Sequence, residues 1–273
     1  AQLLGAHLEG PFLEPSRRGA HPKEHLCAPS LAALAARIGG FEADIDLVTL
    51  APELPGSEAV IAALREQGIV VSLGHSEASE SQAAEAFSHG VGMITHAFNA
   101  MPGLHHRAPG PIAAAARRGD VALGLIADGV HVAPSMAVLL QRLLPEQTLL
   151  VSDALAPYGL ADGTHRWDER PLIVEQGSCR LEDGTLAGVT LPLLEAVLES
   201  YPLASRGRQQ CGTALAALAR AEGLTLPADW GERAGGYGLH AAQFRQLPSD
   251  TQILDWIERI PNPGWRLAYG LMA

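Results

Sequence analysis

Glu9, His75, His96 and Asp153 each stand where a short apolar run gives way to polar residues. Two imidazoles and a carboxylate make the donor set of a hydrolytic metal site with one coordination position left for water. A carboxylate at Asp153 suits a proton shuttle, taking a proton from that water and returning it to a leaving group. No motif such as HExxH ties these residues together, because ligands carried on different strands have no fixed separation in sequence. A single histidine at a strand end is more often a packing or capping residue. The weight of the reading rests on recurrence.

That recurrence is a property of the elements that position the residues. Six apolar or β-branched runs, Leu3–Leu8, Asp46–Leu50, Ile69–Leu73, Gly92–Thr95, Val121–Ala127 and Leu149–Ser152, each end in polar residues. Between them lie Ala-rich helical patterns near residues 30–38, 57–67, 79–88, 111–118 and 134–143. Strands alternating with helices of this size predict βαβ units and a parallel sheet. In (β/α)₈ barrels the loops after the strands converge on the active site, so the strand-end acids and histidines predict an enzyme site built by several strands. The count is about six of the eight strands that a closed barrel needs. After about residue 200 the rhythm stops, and helical runs such as Gly212–Ala221 and Thr251–Arg259 alternate with Gly/Pro-rich pieces.

Composition narrows the class. The chain has 273 residues, with 30 acidic and 19 basic side chains and a net charge of −11. That charge repels phosphate backbones and anionic lipid, so neither nucleic acid nor a membrane surface is an expected partner. With 47% hydrophobic and 18% charged residues the chain is too apolar for a disordered protein. No run approaches the ~20 apolar residues that span a bilayer, and no basic region followed by an apolar one opens the chain. Cys27, Cys179 and Cys211 are odd in number and lack CxxC spacing, which reads as free thiols of a reducing compartment. The expected location is cytoplasmic.

The wording of the motifs adds what spacing cannot. The stretch His7-Leu-Glu-Gly-Pro-Phe12, followed by Arg18-Gly-Ala-His21-Pro22, resembles the N-acetylglucosamine-6-phosphate deacetylases of the amidohydrolase superfamily. Leu50-Ala-Pro-Glu53, Gly74-His-Ser76, Thr95-His-Ala-Phe-Asn-Ala-Met101, His105-His-Arg107, Ala127-Asp-Gly-Val-His131, Ser152-Asp-Ala154 and Leu186-Ala-Gly188 follow in that family's order. The likeness covers roughly residues 3–195; each motif alone is weak and the ordered set is specific.

The resemblance implies one divalent metal ion held by Glu9, His75 and His96, zinc first with iron, cobalt or manganese as alternatives, and Asp153 as catalytic acid/base. It implies deacetylation of N-acetyl-D-glucosamine 6-phosphate to D-glucosamine 6-phosphate and acetate. The histidine matching His21 lies beside the reacting carbonyl in the family, which implies a catalytic and substrate-binding role for His21 and a substrate-binding one for Ala20. Asn99, Ala100, Asp128, His131 and the Leu186-Ala187-Gly188 turn match substrate-contacting positions. Arg107 matches an arginine that reaches the sugar phosphate of the neighbouring subunit, which implies a homodimer. His105 and His106 receive no role beyond shaping that loop.

Against the family pattern, the small β-sandwich piece and two barrel strands expected before His7 are missing, as is the usual continuation after Val197. The expected organisation is therefore an incomplete TIM-barrel-like (β/α) metal-dependent hydrolase core over residues 1–195. A mainly helical C-terminal segment is expected over 196–273. The alternatives are another metal-dependent amidohydrolase acting on a different amide, or an inactive truncated homologue.

Overall fold

In the computed structural model the chain is described over residues 5–168 and 170–191. The expected helical segment 196–273 and Cys211 lie outside the described residues. Six parallel strands form one sheet in the order of the chain: β1 Ala6–Glu9, β2 Ile45–Leu50, β3 Val70–Leu73, β4 Met93–Ile94, β5 Ala122–Ile126 and β6 Thr148–Val151. Each pair is joined by one helix, α1 Leu31–Ile38, α2 Ser57–Glu66, α3 Glu80–Ser88, α4 Gly110–Arg118 and α5 Pro134–Leu143. Because sequence neighbours are always sheet neighbours, the sheet is singly wound. It is the incomplete barrel that the sequence rhythm predicts.

Local signals place the helices. Ser30 caps α1 by accepting the Ala33 N–H, and Ser79 with Gln82 forms a reciprocal capping box on α3. Gly119 ends α4 in the left-handed region at φ +81°, where its N–H closes on the Ala115 carbonyl. Strand side chains alternate between two faces. Val48, Leu50, Val71, Leu73, Ile94, Leu123 and Leu125 pack with Leu34, Ile61, Leu64, Phe87, Ile112 and Leu140 of the helices in one core. The opposite face is different in kind. Glu9 pairs in register with Thr49, and Thr49 with Ser72, so these polar side chains line one face together. There the His7 ring, Thr49, Thr95 and Ser72 form a hydrogen-bonded chain with spacings of 2.7, 2.7 and 2.6 Å. Gly74 is required beside it, since a Cβ would come within 2.6 Å of Thr49 Cγ2 and 2.9 Å of Thr95 Cβ.

A second sheet corrects the sequence reading. Strands β7 Gly163–Trp167, β8 Arg170–Glu175, β9 Ser178–Leu181 and β10 Leu186–Val189 form an antiparallel sheet in the order β10-β9-β8-β7. Leu186-Ala187-Gly188, expected as a turn, is a strand. Its own core joins Leu172, Val174, Cys179 and Leu181 to Ala20 of the β1 loop and to Leu155 of the loop after β6. Strand β10 lies directly on that last loop: the Val189 N–H donates to the Asp153 carbonyl at 3.2 Å, and the Leu155 N–H to the Val189 carbonyl at 3.1 Å.

Gly188 makes this approach possible, because a Cβ there would stand 2.6 Å from the Asp153 carbonyl oxygen and 2.8 Å from Leu155 Cγ. Gly188→Ala is expected to push β10 off the loop and to destabilise the fold by about 1–3 kcal/mol, as overpacking does. Gly103→Ala, with nothing within 4 Å of the added Cβ, is the control and is expected to be near neutral. Urea denaturation of the two variants beside the parent checks the difference.

Candidate metal centre

The carboxylate of Glu9 closes β1 and meets rings from two other strand ends. Glu9 Oε1 lies 3.1 Å from His75 Nε2 and 2.9 Å from His96 Nε2, and the two Nε2 atoms are 3.1 Å apart. The three residues are a group able to hold a metal ion, with candidate ligand atoms within 4.8 Å of one another. Both rings follow their strands in the left-handed backbone region, His75 at φ +49° and His96 at φ +31°. For a non-glycine residue that conformation persists only where the surroundings enforce it, and it clusters at functional sites.

Proton placement tests whether a cation fits. His75 Nδ1 lies 2.7 Å from the carbonyl oxygen of Arg17, which can only accept, so Nδ1 carries the proton. In its neutral form His75 then turns the Nε2 lone pair toward the Glu9 carboxylate, and a cation between them would satisfy both. His96 reaches the same carboxylate oxygen through its own Nε2. Burial works against its imidazolium, but hydrogen bonding and charge from Glu9, with further charge from Asp153, hold its pKa up at about 9. Burial likewise opposes the Glu9 carboxylate, yet its hydrogen bonds with His21, His75 and His96 bring its pKa well below the usual carboxylate range. The donor set thus suits a divalent ion, and a carbonyl aiming the far nitrogen of a ligand histidine is the usual support of such a site.

Asp153 follows β6, also in the left-handed region at φ +51°. Burial raises its pKa above the ordinary value, and the Glu9 charge adds to the rise against attraction from His96, His131 and His75. It therefore stands within electrostatic reach of the three ligand candidates. His131 comes from the loop after β5. Asp128, expected as a substrate contact, holds that loop: Oδ2 lies 2.6 Å from His131 Nδ1, and Oδ1 accepts the Val130 and His131 N–H groups. This fixes the His131 ring through Nδ1.

The other expected positions are partly gathered. His21 Nε2 lies 3.4 Å from Glu9 Oε2, and the His21 ring stands edge-on to His75 with centroids 4.7 Å apart. Arg18 Nη1 donates to the His21 carbonyl at 2.8 Å and Arg170 Nη1 to the Ala20 carbonyl at 2.6 Å. Ala100, at φ +51°, accepts the Ser76 N–H at 3.0 Å and so links the two histidine loops. Asn99 turns its amide toward the carbonyls of His96 and Ala97, each at 3.3 Å. Arg107 is exposed on the loop before α4. Ala187 packs in the second sheet's core and Gly188 lies against the Asp153 backbone. Sequence reasoning missed Arg170, whose only signal was an Asp168 two residues earlier, and missed Thr49, Ser72 and Thr95, hydroxyls that read as members of apolar runs.

Added Zn²⁺ is expected to raise the unfolding midpoint, by about 2.7 kcal/mol of stability at a hundredfold excess over Kd. His75→Ala should abolish the effect. Because the ion displaces the His96 proton, affinity should climb as pH rises toward 9. Calorimetric titration at several pH values checks both.

No family model matches the chain. It is 40% identical over 204 residues to the N-acetylglucosamine-6-phosphate deacetylase of Bos taurus, covering 71% of this chain and 49% of that protein. It is 38% identical over 197 residues to an N-acetylgalactosamine-6-phosphate deacetylase of Escherichia coli, covering 72% of this chain and 52% of that one. Among solved structures, N-acetylglucosamine-6-phosphate deacetylase from Thermotoga maritima superposes with a TM-score of 0.66 at 37% identity, over 72% of this chain and 53% of that chain. A mutant of the Mycobacterium smegmatis enzyme, in complex with N-acetyl-D-glucosamine-6-phosphate, gives 0.67 at 31% identity, over 86% and 56%. The chain spans about half the length of the curated relatives it matches, and it belongs to the N-acetylglucosamine-6-phosphate deacetylase family.

Proposed function

We propose that the protein removes the acetyl group from N-acetyl-D-glucosamine 6-phosphate, releasing acetate and D-glucosamine 6-phosphate. The observation that carries this reading is the meeting of Glu9, His75 and His96 at three strand ends with a separate half-buried acid, Asp153, at a fourth. Glu9, His75 and His96 would hold a divalent ion, zinc or a similar metal, which would supply a Lewis acid for the amide carbonyl and acidify a water molecule. Asp153 would accept a proton from the attacking water and deliver one to the nitrogen, because an amine leaves readily only once protonated. In this reading His131, held by Asp128, and His21, beside Glu9, hydrogen-bond the substrate, and Asn99, Ala100 and the Leu186–Gly188 strand contribute further contacts. Arg107 is exposed, and a guanidinium fork suits phosphate, so in a homodimer it reaches the neighbouring site. The free thiols Cys27 and Cys179 suit a reducing cytoplasm. The N-acetylgalactosamine epimer is a second reading, supported by the 38% identity to an enzyme named for it.

Asp153→Asn is expected to keep its metal and lose about 10²–10⁴-fold in turnover, since an amide cannot shuttle the proton. Metal analysis alongside steady-state kinetics, run on both epimers, checks it; near-parental turnover would move the acid/base role elsewhere, with His131 the first candidate.

Arg107→Ala should damage the phosphorylated substrate far more than its dephosphorylated analogue, by roughly 10–150-fold in specificity, or about 1.5–3 kcal/mol. Mixing Asp153→Asn with Arg107→Ala subunits should restore some activity, since a mixed dimer holds one site with both residues intact. Equal losses on both substrates and no rescue would favour a different amide as substrate.

A further inference from the structure

Glu53 belongs to the Leu50-Ala-Pro-Glu53 stretch, to which the chemistry of the site gives no role. Its carboxylate collects both donors that immediately follow His75: Oε2 accepts the Ser76 hydroxyl at 2.7 Å and Oε1 accepts the Glu77 N–H at 2.6 Å. The Ser76 oxygen in turn accepts the Ala78 N–H at 3.0 Å. Glu77 passes the constraint on, because its carboxylate binds the Arg17 guanidinium. The Arg17 carbonyl is the acceptor that aims the His75 ring through Nδ1. Glu53, Glu77, Arg17 and His75 thus form a closed circuit across the loops after β1, β2 and β3. His75 needs such enclosure, since its left-handed backbone at φ +49° has no glycine to ease it. Gly19 leaves room on the other side, where a Cβ would come 3.2 Å from His75 Cε1.

We propose that Glu53 is a positioning residue for the metal centre, holding the His75 loop so that Nδ1 stays on the Arg17 carbonyl and Nε2 faces Glu9. The proposal rests on the metal-site reading above only for its first readout. Supports of this kind commonly govern metal affinity by about 10–100-fold. A loop brace with no bearing on the site would change folding and leave the ligand geometry alone.

The test uses the full chain with Glu53→Ala and Glu53→Gln. Zn²⁺ affinity is read by competition with a chromophoric chelator, and metal-free thermal unfolding is followed in parallel. Glu53→Ala should weaken Zn²⁺ by about 10–100-fold, and Glu53→Gln by less, since its amide oxygen still accepts the Glu77 N–H. A lowered unfolding midpoint with parental Zn²⁺ affinity would overturn the proposal. The second readout needs no metal: ¹⁵N shifts of the His75 ring in the metal-free protein. The parent should show Nδ1 protonated, and Glu53→Ala should shift toward mixed tautomers; an unchanged tautomer also overturns the proposal. If the parent chain binds no Zn²⁺, the metal reading fails, while the ring shifts still decide the role of Glu53. Should Glu53→Ala not fold, Ser76→Ala carries the same two comparisons.

Discussion

The meeting of the Glu9 carboxylate with two imidazole nitrogens is the constraint around which the described chain is arranged. Glu9 is half-buried and needs partners for its charge, and the Arg17 carbonyl holds His75 Nδ1 so that Nε2 faces that carboxylate. Glu9 holds the His96 pKa up at about 9, and a divalent ion would be held at the same meeting point. The loops carry backbone strain to keep this meeting in place. His75, His96, Ala100 and Asp153 all stand at positive φ directly after or close behind strands, and each is tied to a neighbouring loop.

Two layers of support hold the centre. Below it, the hydroxyl chain of Thr49, Thr95 and Ser72 fills the inner face of the sheet with groups whose donors and acceptors satisfy one another. A buried polar row of this kind is favourable only when complete, which ties the side chains of three neighbouring strand units to one arrangement. Beside the centre, the antiparallel sheet holds two loops, those after β1 and β6. Arg170 stacks over Trp167 at 5.1 Å and pairs with Asp168 while donating to the Ala20 carbonyl, so the β7–β8 hairpin fixes the residue before His21. Strand β10 holds the backbone of Asp153 from the other end of the same sheet.

Much of this was legible in the sequence, for identifiable reasons. The four inner strands of the parallel sheet are largely buried on both faces, so they read as continuous apolar runs, while the edge strands β1 and β6 are half-buried. The Ala-rich helices between them carry ordinary caps, and their ends fall within one or two residues of the expectation. Glu9, His75, His96 and Asp153 stood out because a charged or titratable residue interrupts each run at the same end. The antiparallel sheet did not stand out. Its strands are four to six residues long, and its β8–β9 turn uses Gln176 and Gly177 at positive φ without an Asn-Gly or Asp-Gly signal. Asp183-Gly184, between β9 and β10, does carry that signal. The motif names Asp128, but nothing in the sequence signals that both its oxygens are taken up by His131 and its own loop.

The two half-buried acids of the site are pushed in opposite directions, and that separation suits the roles proposed for them. Hydrogen bonds with His21, His75 and His96 hold the Glu9 pKa well below the usual carboxylate range. Asp153 has desolvation and the Glu9 charge against it, which outweigh the attraction of His96, His131 and His75 and raise its pKa. A ligand must never surrender its lone pair to a proton, whereas a proton carrier must hold and release one within the working range. Exchanging the two residues would fail on both counts, even with geometry preserved. The difference originates in strand order: β1, β3 and β4 bring Glu9 to two histidines, while β6 brings Asp153 to the same face with no histidine of its own. The division of labour between metal ligand and proposed acid/base thus follows from which strand each carboxylate ends.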